Sequence, residues 1–242
     1  MGSPKGSSPD RNLSTSGNRI FRLSPSDLTF LCEECKRCFY LKVARGFQRP
    51  RGPFPKIFGV IDAQMKACFE GARTDAVAPG IPSGTVSQGE DWVESKPLAL
   101  PGKDSRCVIR GKFDTIVHFD DGSYGVIDYK TAERKPQQIP FYSRQLHAYA
   151  YALEHPARGS LGLAPISKLG LVVFEPSAFS RNGGCSIALD GGISWLEIPR
   201  DEKMFLRFIG QVLSVLEKPD PPKAAPECDW CRYRRASRRT TL

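Results

Sequence analysis

Asp114, Asp128 and Lys130 are spaced so that one β-hairpin could present two carboxylates and an ammonium together, a set suited to holding a divalent cation beside a phosphoryl group. They lie in Gly111-Lys-Phe-Asp-Thr-Ile-Val-His-Phe-Asp-Asp-Gly-Ser-Tyr-Gly-Val-Ile-Asp-Tyr-Lys-Thr131. Asp120-Asp121-Gly122 is a turn signal between two β-prone runs, and Gly122 suits the left-handed residue that closes a three-residue loop. Phe119 then faces Ser123, paired residue numbers total 242, and Asp114 falls opposite Asp128. Directly opposed Cβ atoms lie about 4.5–5.5 Å apart. Lys130, two residues on, shares that face.

Opposed carboxylates repel each other, and a bridging cation reverses the sign. Mg²⁺ takes one or two carboxylates and fills its octahedron with waters and phosphate oxygens. It would activate a water, and Lys130 would orient that water or offset charge developing on the phosphate. The carbonyl of Tyr129 could add an oxygen ligand. Taken singly, each charge is an ordinary surface group of little energetic worth. The meeting of three on one face of strands carrying Ile116, Val117, Val126 and Ile127 is what points to a site.

The elements that must hold this hairpin follow in order. Pro140–Glu154 reads as a helix with Pro140 in its first turn, ended by His155-Pro156. Gln145 and Tyr149 share one of its faces. Gly-x-x-Asp, Asp-x-Lys-Thr and Gln-x-x-x-Tyr, in that order, resemble the RecB-type branch of the PD-(D/E)XK nuclease superfamily, which includes the exonucleases of CRISPR adaptation. The resemblance implies an α/β restriction-endonuclease-like core, a mixed central sheet flanked by helices. It implies that Asp114 and Asp128 bind Mg²⁺ or Mn²⁺, that Lys130 is catalytic, and that Gln145 and Tyr149 support the site. The implied activity is hydrolysis of DNA, exonucleolytic on single strands or ends, in repair, recombination or foreign-DNA processing. The family's early-helix histidine is replaced: Asp62 stands in Ile57-Phe-Gly-Val-Ile-Asp-Ala-Gln-Met-Lys66, either as a substitute ligand or as a helix-surface acid. A module that keeps the fold and binds nucleic acid without cutting it is the alternative.

Eight cysteines occur, and five cluster: Cys32, Cys35 and Cys38 early, Cys228 and Cys231 late. Cys-x-x-Cys pairs suit Zn²⁺ or an iron–sulfur centre, and spacing leaves the choice open. We expect Cys35, Cys38, Cys228 and Cys231 as ligands, with Cys32 as competitor, and Cys68, Cys107 and Cys185 as buried small hydrophobes. The resemblance implies a [4Fe–4S] cluster joining the ends of the nuclease domain, although its members place one cysteine early and three late.

A net charge of +9 suits an anionic partner. Lys36, Arg37, Lys42, Arg45, Arg49, Arg51 and Lys56 crowd one segment, and Arg232, Arg234, Arg235, Arg238 and Arg239 another. Joined through the cysteines, and interleaved with Phe39, Tyr40, Phe47, Trp230 and Tyr233, they would suit single-stranded nucleic acid. No apolar run is long enough to span a membrane, and no secretory leader opens the chain, so a cytoplasmic setting is expected. Protein partners are left open. We expect a disordered tail over 1–20, the nuclease domain over 21–233 and a basic tail over 234–242. The predicted elements are an early helix carrying the first cysteines, a helix near 57–71, a loop over 74–90, strands near 91–100, 106–119, 123–130, 166–174 and 192–198, and helices over 140–154 and 200–217.

Overall fold

The computed structural model describes residues 19–50, 52, 55–88, 91–132, 139–181 and 183–239. The tail expected over 1–20 falls almost wholly outside these, as does Arg51. Two sheets organise the α/β fold. In the smaller, β5 (Arg106–Lys112) runs parallel to β1 (Ile20–Leu23) and antiparallel to β3 (Trp92–Glu94) and β4 (Leu98–Ala99). The larger has the order β2 (Gly84–Gln88), β6 (Thr115–Phe119), β7 (Tyr124–Thr131), β8 (Ile166–Arg181), β9 (Ile187–Ile198).

The hairpin β6–β7 forms in the expected register. Thr115 pairs with Ile127 and Ile116 with Val126. Phe119 N donates to Ser123 O at 2.9 Å, and Gly122 takes a φ of +84°. Alternation along these strands feeds two cores. Ile116 and Val126 enter the main one, while Val117, Phe119, Ile127 and Tyr129 enter a second. Helix α3 (Lys56–Phe69) covers that second core with Met65 and Phe69. Helix α4 (Ile139–Glu154) makes the crossover between the parallel strands β7 and β8 and buries Leu146, Ala150 and Leu153 in the main core. Helix α5 (Glu202–Leu216) closes that core with Phe205, Ile209, Val212, Leu213 and Leu216.

The early cysteines lie on α1 (Cys32–Glu34) and α2 (Lys36–Arg45), with Cys35 between them; the late ones lie at the start of α6 (Asp229–Ser237). The basic residues Arg234 and Arg235 therefore continue this helix.

Several expectations are corrected. The strand expected over 106–119 is two strands in different sheets, broken at Phe113-Asp114, with Phe113 anchored in the main core. The expected loop contains β2, which pairs with β6 because Val86 can bury beneath α3. Strands β8 and β9 run on past the sheet as a ribbon from Glu175 to Arg181 and back from Ile187. Phe39 and Tyr40 are buried, with Tyr40 Oη donating to Lys218 O at 2.9 Å, so neither can stack on a base. Cys68 and Cys185 are exposed, and only Cys107 of the three isolated cysteines is buried.

Candidate active site and cysteine centre

The break between β5 and β6 leaves Asp114 at the rim of the sheet, one step beyond the Thr115–Ile127 pair and so opposite Asp128. Asp128 itself is buried, at 3% exposure. Lys130 Nζ forms an ion pair with Asp128 Oδ2 and lies 5.0 Å from the centre of the Tyr142 ring. From α4, Gln145 Nε2 makes a long 3.4 Å hydrogen bond to Asp128 Oδ1. Tyr149 Oη donates to Lys112 O at 2.7 Å, tying α4 to the strand that delivers Asp114.

Gly111 explains its place in the motif. A Cβ there would stand 2.7 Å from Pro25 Cδ and 3.1 Å from Tyr149 Cε1, so the Tyr149 ring reaches Lys112 only over a glycine.

Sequence reasoning missed Lys66. It sits on the buried face of α3, 7% exposed, between two carboxylates: Nζ is 2.9 Å from Asp62 Oδ2 and 2.8 Å from Asp114 Oδ1. Its position in the stripe with Met65 and Phe69 was the available signal, since a lysine there must have a partner. Burial alone would lower the Lys66 pKa, but hydrogen bonds to Asp114 and Asp62 raise it well above the ordinary lysine value.

The two acids are driven apart electrostatically. Burial pushes Asp128 up to about 7, with Lys130 opposing and Asp114 adding to the rise. Asp114 falls below its ordinary value: burial works against this, but hydrogen bonds with Asp128 and Lys66 outweigh it. Such a split marks functional pairs of carboxyls.

Asp62, Asp114, Tyr129, Lys130 and Thr131 line a cavity of about 460 Å³ with Phe58 and Gly59. Its donors are carboxylate and carbonyl oxygens, the set that suits Mg²⁺ or Mn²⁺. Gln145 Oε1, buried without a hydrogen-bond partner among the described residues, is free to accept from a water.

Cys35, Cys38, Cys228 and Cys231 converge, with all four sulfurs within 4.8 Å of one another. The Cys38–Cys231, Cys38–Cys228 and Cys35–Cys231 separations are 3.5, 3.7 and 3.9 Å. A tetrahedral Zn²⁺ with bonds of about 2.3 Å sets sulfurs about 3.8 Å apart. Cys32 points instead into the main core, where burial pushes its pKa to about 11. Arg49 Nη2 lies 3.1 Å from Cys228 Sγ while Nη1 bonds Glu34 at 2.7 Å, placing a cation against the thiols.

Beside this centre, Arg37, Lys223, Arg234, Arg235, Arg238 and Arg239 line a cavity of about 610 Å³. Phe47 and Tyr233 are exposed nearby, and Arg234 lies over the Phe47 ring at 4.5 Å.

A family model for the PD-(D/E)XK nuclease superfamily matches residues 76–236, well over half of the chain. The chain belongs to the PD-(D/E)XK nuclease superfamily. The match covers Asp114 through Tyr149 and both late cysteines, and leaves Asp62, Lys66 and the early cysteines outside. Among solved structures, the crystal structure of SSO0001 is similar, with 18% identity over 91% of this chain and 85% of that one and a TM-score of 0.45. No curated protein matches. Membership of this superfamily points to nuclease activity, and the four-cysteine cluster could bind a metal. No described helix is long and apolar enough to cross a membrane.

Proposed function

We propose that this superfamily member is a divalent-metal-dependent deoxyribonuclease of the RecB type, acting on single-stranded or end-bearing DNA in repair, recombination or foreign-DNA processing. The observation that carries the reading is the side-chain contact of Asp114 with Asp128 just beyond the last pair of a registered hairpin, with Lys130 ion-paired to Asp128. Asp114, Asp128 and the Tyr129 carbonyl are the proposed ligands of Mg²⁺ or Mn²⁺. The ion supplies Lewis acidity and a more acidic bound water. Lys130 would orient the attacking water or steady the phosphate. Gln145 holds the buried Asp128, and Tyr149 fixes the strand leading to Asp114. The basic and aromatic residues of α6 would carry the strand away from the chemistry.

Two readings of the cysteine centre rest on different observations. Likeness to iron–sulfur nucleases supports a [4Fe–4S] cluster. The sulfur spacing supports a single Zn²⁺, since a four-iron core would hold its thiolates farther apart. Metal content and visible absorbance of anaerobically purified protein separate the two.

The functional test compares single-stranded and duplex DNA with Mn²⁺, with EDTA and with Lys130→Ala. We expect metal-dependent cleavage that falls by at least about 10²-fold in Lys130→Ala. DNA that is bound but left intact with Mn²⁺ would support the non-cutting module instead.

A further inference from the structure

Two acids line the cavity and a third, Asp128, is buried against one of them, a number of carboxylates that elsewhere holds two divalent ions in phosphoryl-transfer sites. Lys66 changes that count. Its ammonium is buried between Asp62 and Asp114, bonded to one oxygen of each. It comes from α3, whereas Asp128 and Lys130 belong to β7, so two separate elements each bring a cation to these carboxylates. Three carboxylates against two ammonium groups leave a formal charge of −1. One divalent ion turns this to +1. A second would bring it to +3 in a partly buried cavity, where repulsion between like charges is costly.

Ligand geometry agrees. With one oxygen of Asp62 and one of Asp114 held by Lys66, the second Asp114 oxygen is left to share an ion with Asp128 and the Tyr129 carbonyl. That is a sufficient protein contribution for a single Mg²⁺ or Mn²⁺, which keeps several waters.

We propose that Lys66 is a built-in cation that limits this site to one divalent ion, and that Asp62 serves to position Lys66 instead of binding metal. The proposal rests on reading the cavity as a divalent-metal nuclease site. Lys66 is thus a positioning residue: it sets the charge and the free ligands of Asp114.

The experiment is Mn²⁺ binding to the full-length protein, followed by electron paramagnetic resonance and calorimetry, with Asp128→Asn identifying ions bound in this cavity. Wild type should bind one Mn²⁺ that Asp128→Asn abolishes. Lys66→Gln, whose amide can still bond both carboxylates, should bind two, with spin–spin coupling between them. Lys66→Arg, which keeps the charge, should remain at one. Two coupled ions in wild type overturn the inference whether or not any variant folds, and so does a single ion in a folded Lys66→Gln protein. Failure of the functional reading looks different: wild type would then bind no Mn²⁺ that depends on Asp128.

Discussion

Tyr149 can hold Lys112 only because residue 111 has no side chain. A Gly111→Ala methyl would press on Pro25 and on the Tyr149 ring, and overpacking of this kind costs about 1–3 kcal/mol. We therefore expect Gly111→Ala to lower the melting temperature and to reduce cleavage. Tyr149→Phe, which keeps the ring and removes the hydroxyl with its bond to Lys112, should cost less stability. Thermal denaturation alongside a cleavage assay checks both, and an unchanged Gly111→Ala protein would refute the close-approach account. At this scale the sequence was informative where residue type and period coincide. The turn at Gly122 implied the opposition of Asp114 and Asp128, because strand pairing makes position arithmetic. Lys66 was not legible in the same way. Its partners come from its own helix and from a strand rim 48 residues away, and helical spacing reveals only the first.

Helix α4 is fixed at its middle by a buried histidine. His147 Nδ1 donates to Ser143 O at 2.7 Å, and Nε2 accepts from Asp201 N at 2.8 Å, joining α4 to the cap of α5. That pattern requires the neutral ring. Burial lowers the His147 pKa below 6.5 and Arg200 lowers it further, against the Ser143 carbonyl, Asp201 and Glu202, which raise it. With the folded value depressed, the native state binds fewer protons than the unfolded chain. Stability is then full above about pH 6.5 and falls as the pH drops through the folded value. Urea melts at pH 7.5 and 5.5 should show this loss, and His147→Gln should be less stable at pH 7.5 yet flatter between the two. An equally steep fall in His147→Gln would assign the effect elsewhere. Elements with one dominant period, α4 and α5, were readable to within a residue or two at either end. The split of β5 from β6 was not, since Gly111 and Asp114 weaken β propensity there without saying that the chain changes sheets. Tertiary placement of Phe113 makes the bend.

Across the whole molecule, the cysteine centre joins segments 190 residues apart, from Cys38 to Cys228. Helix α6 fully buries none of its residues, and its hold on the body runs through Cys228, Cys231, the half-buried Trp230 packed on the cysteines and the Arg234–Phe47 contact. By loop-closure reasoning a cross-link of this span is worth about 5 kcal/mol. Cys38→Ser should therefore lose the bound metal, expose the segment around 217–228 to protease, and weaken DNA binding through the arginines of α6. The hairpin and its Mn²⁺ site should survive. Limited proteolysis and DNA titration test this, and a protease-resistant, tight-binding Cys38→Ser protein would show that α6 does not depend on the centre. Paired Cys-x-x-Cys motifs made the staple legible, but they could not say that Cys32 faces the core, which depends on how α1 turns into α2. The ribbon of β8 and β9 has a practical consequence of its own. It leaves the sheet just where β7 stops pairing, after Thr131–Phe174, and carries Phe179 and Ile187 at 73% and 64% exposure. Among the described residues this ribbon pairs with no third strand; two strands alone are marginal in water, and an apolar, unpaired edge templates further strands. At high concentration this arm is where the protein would begin to aggregate, and it starts directly beyond Val173 and Phe174, the residues that pair with Lys130 and Thr131.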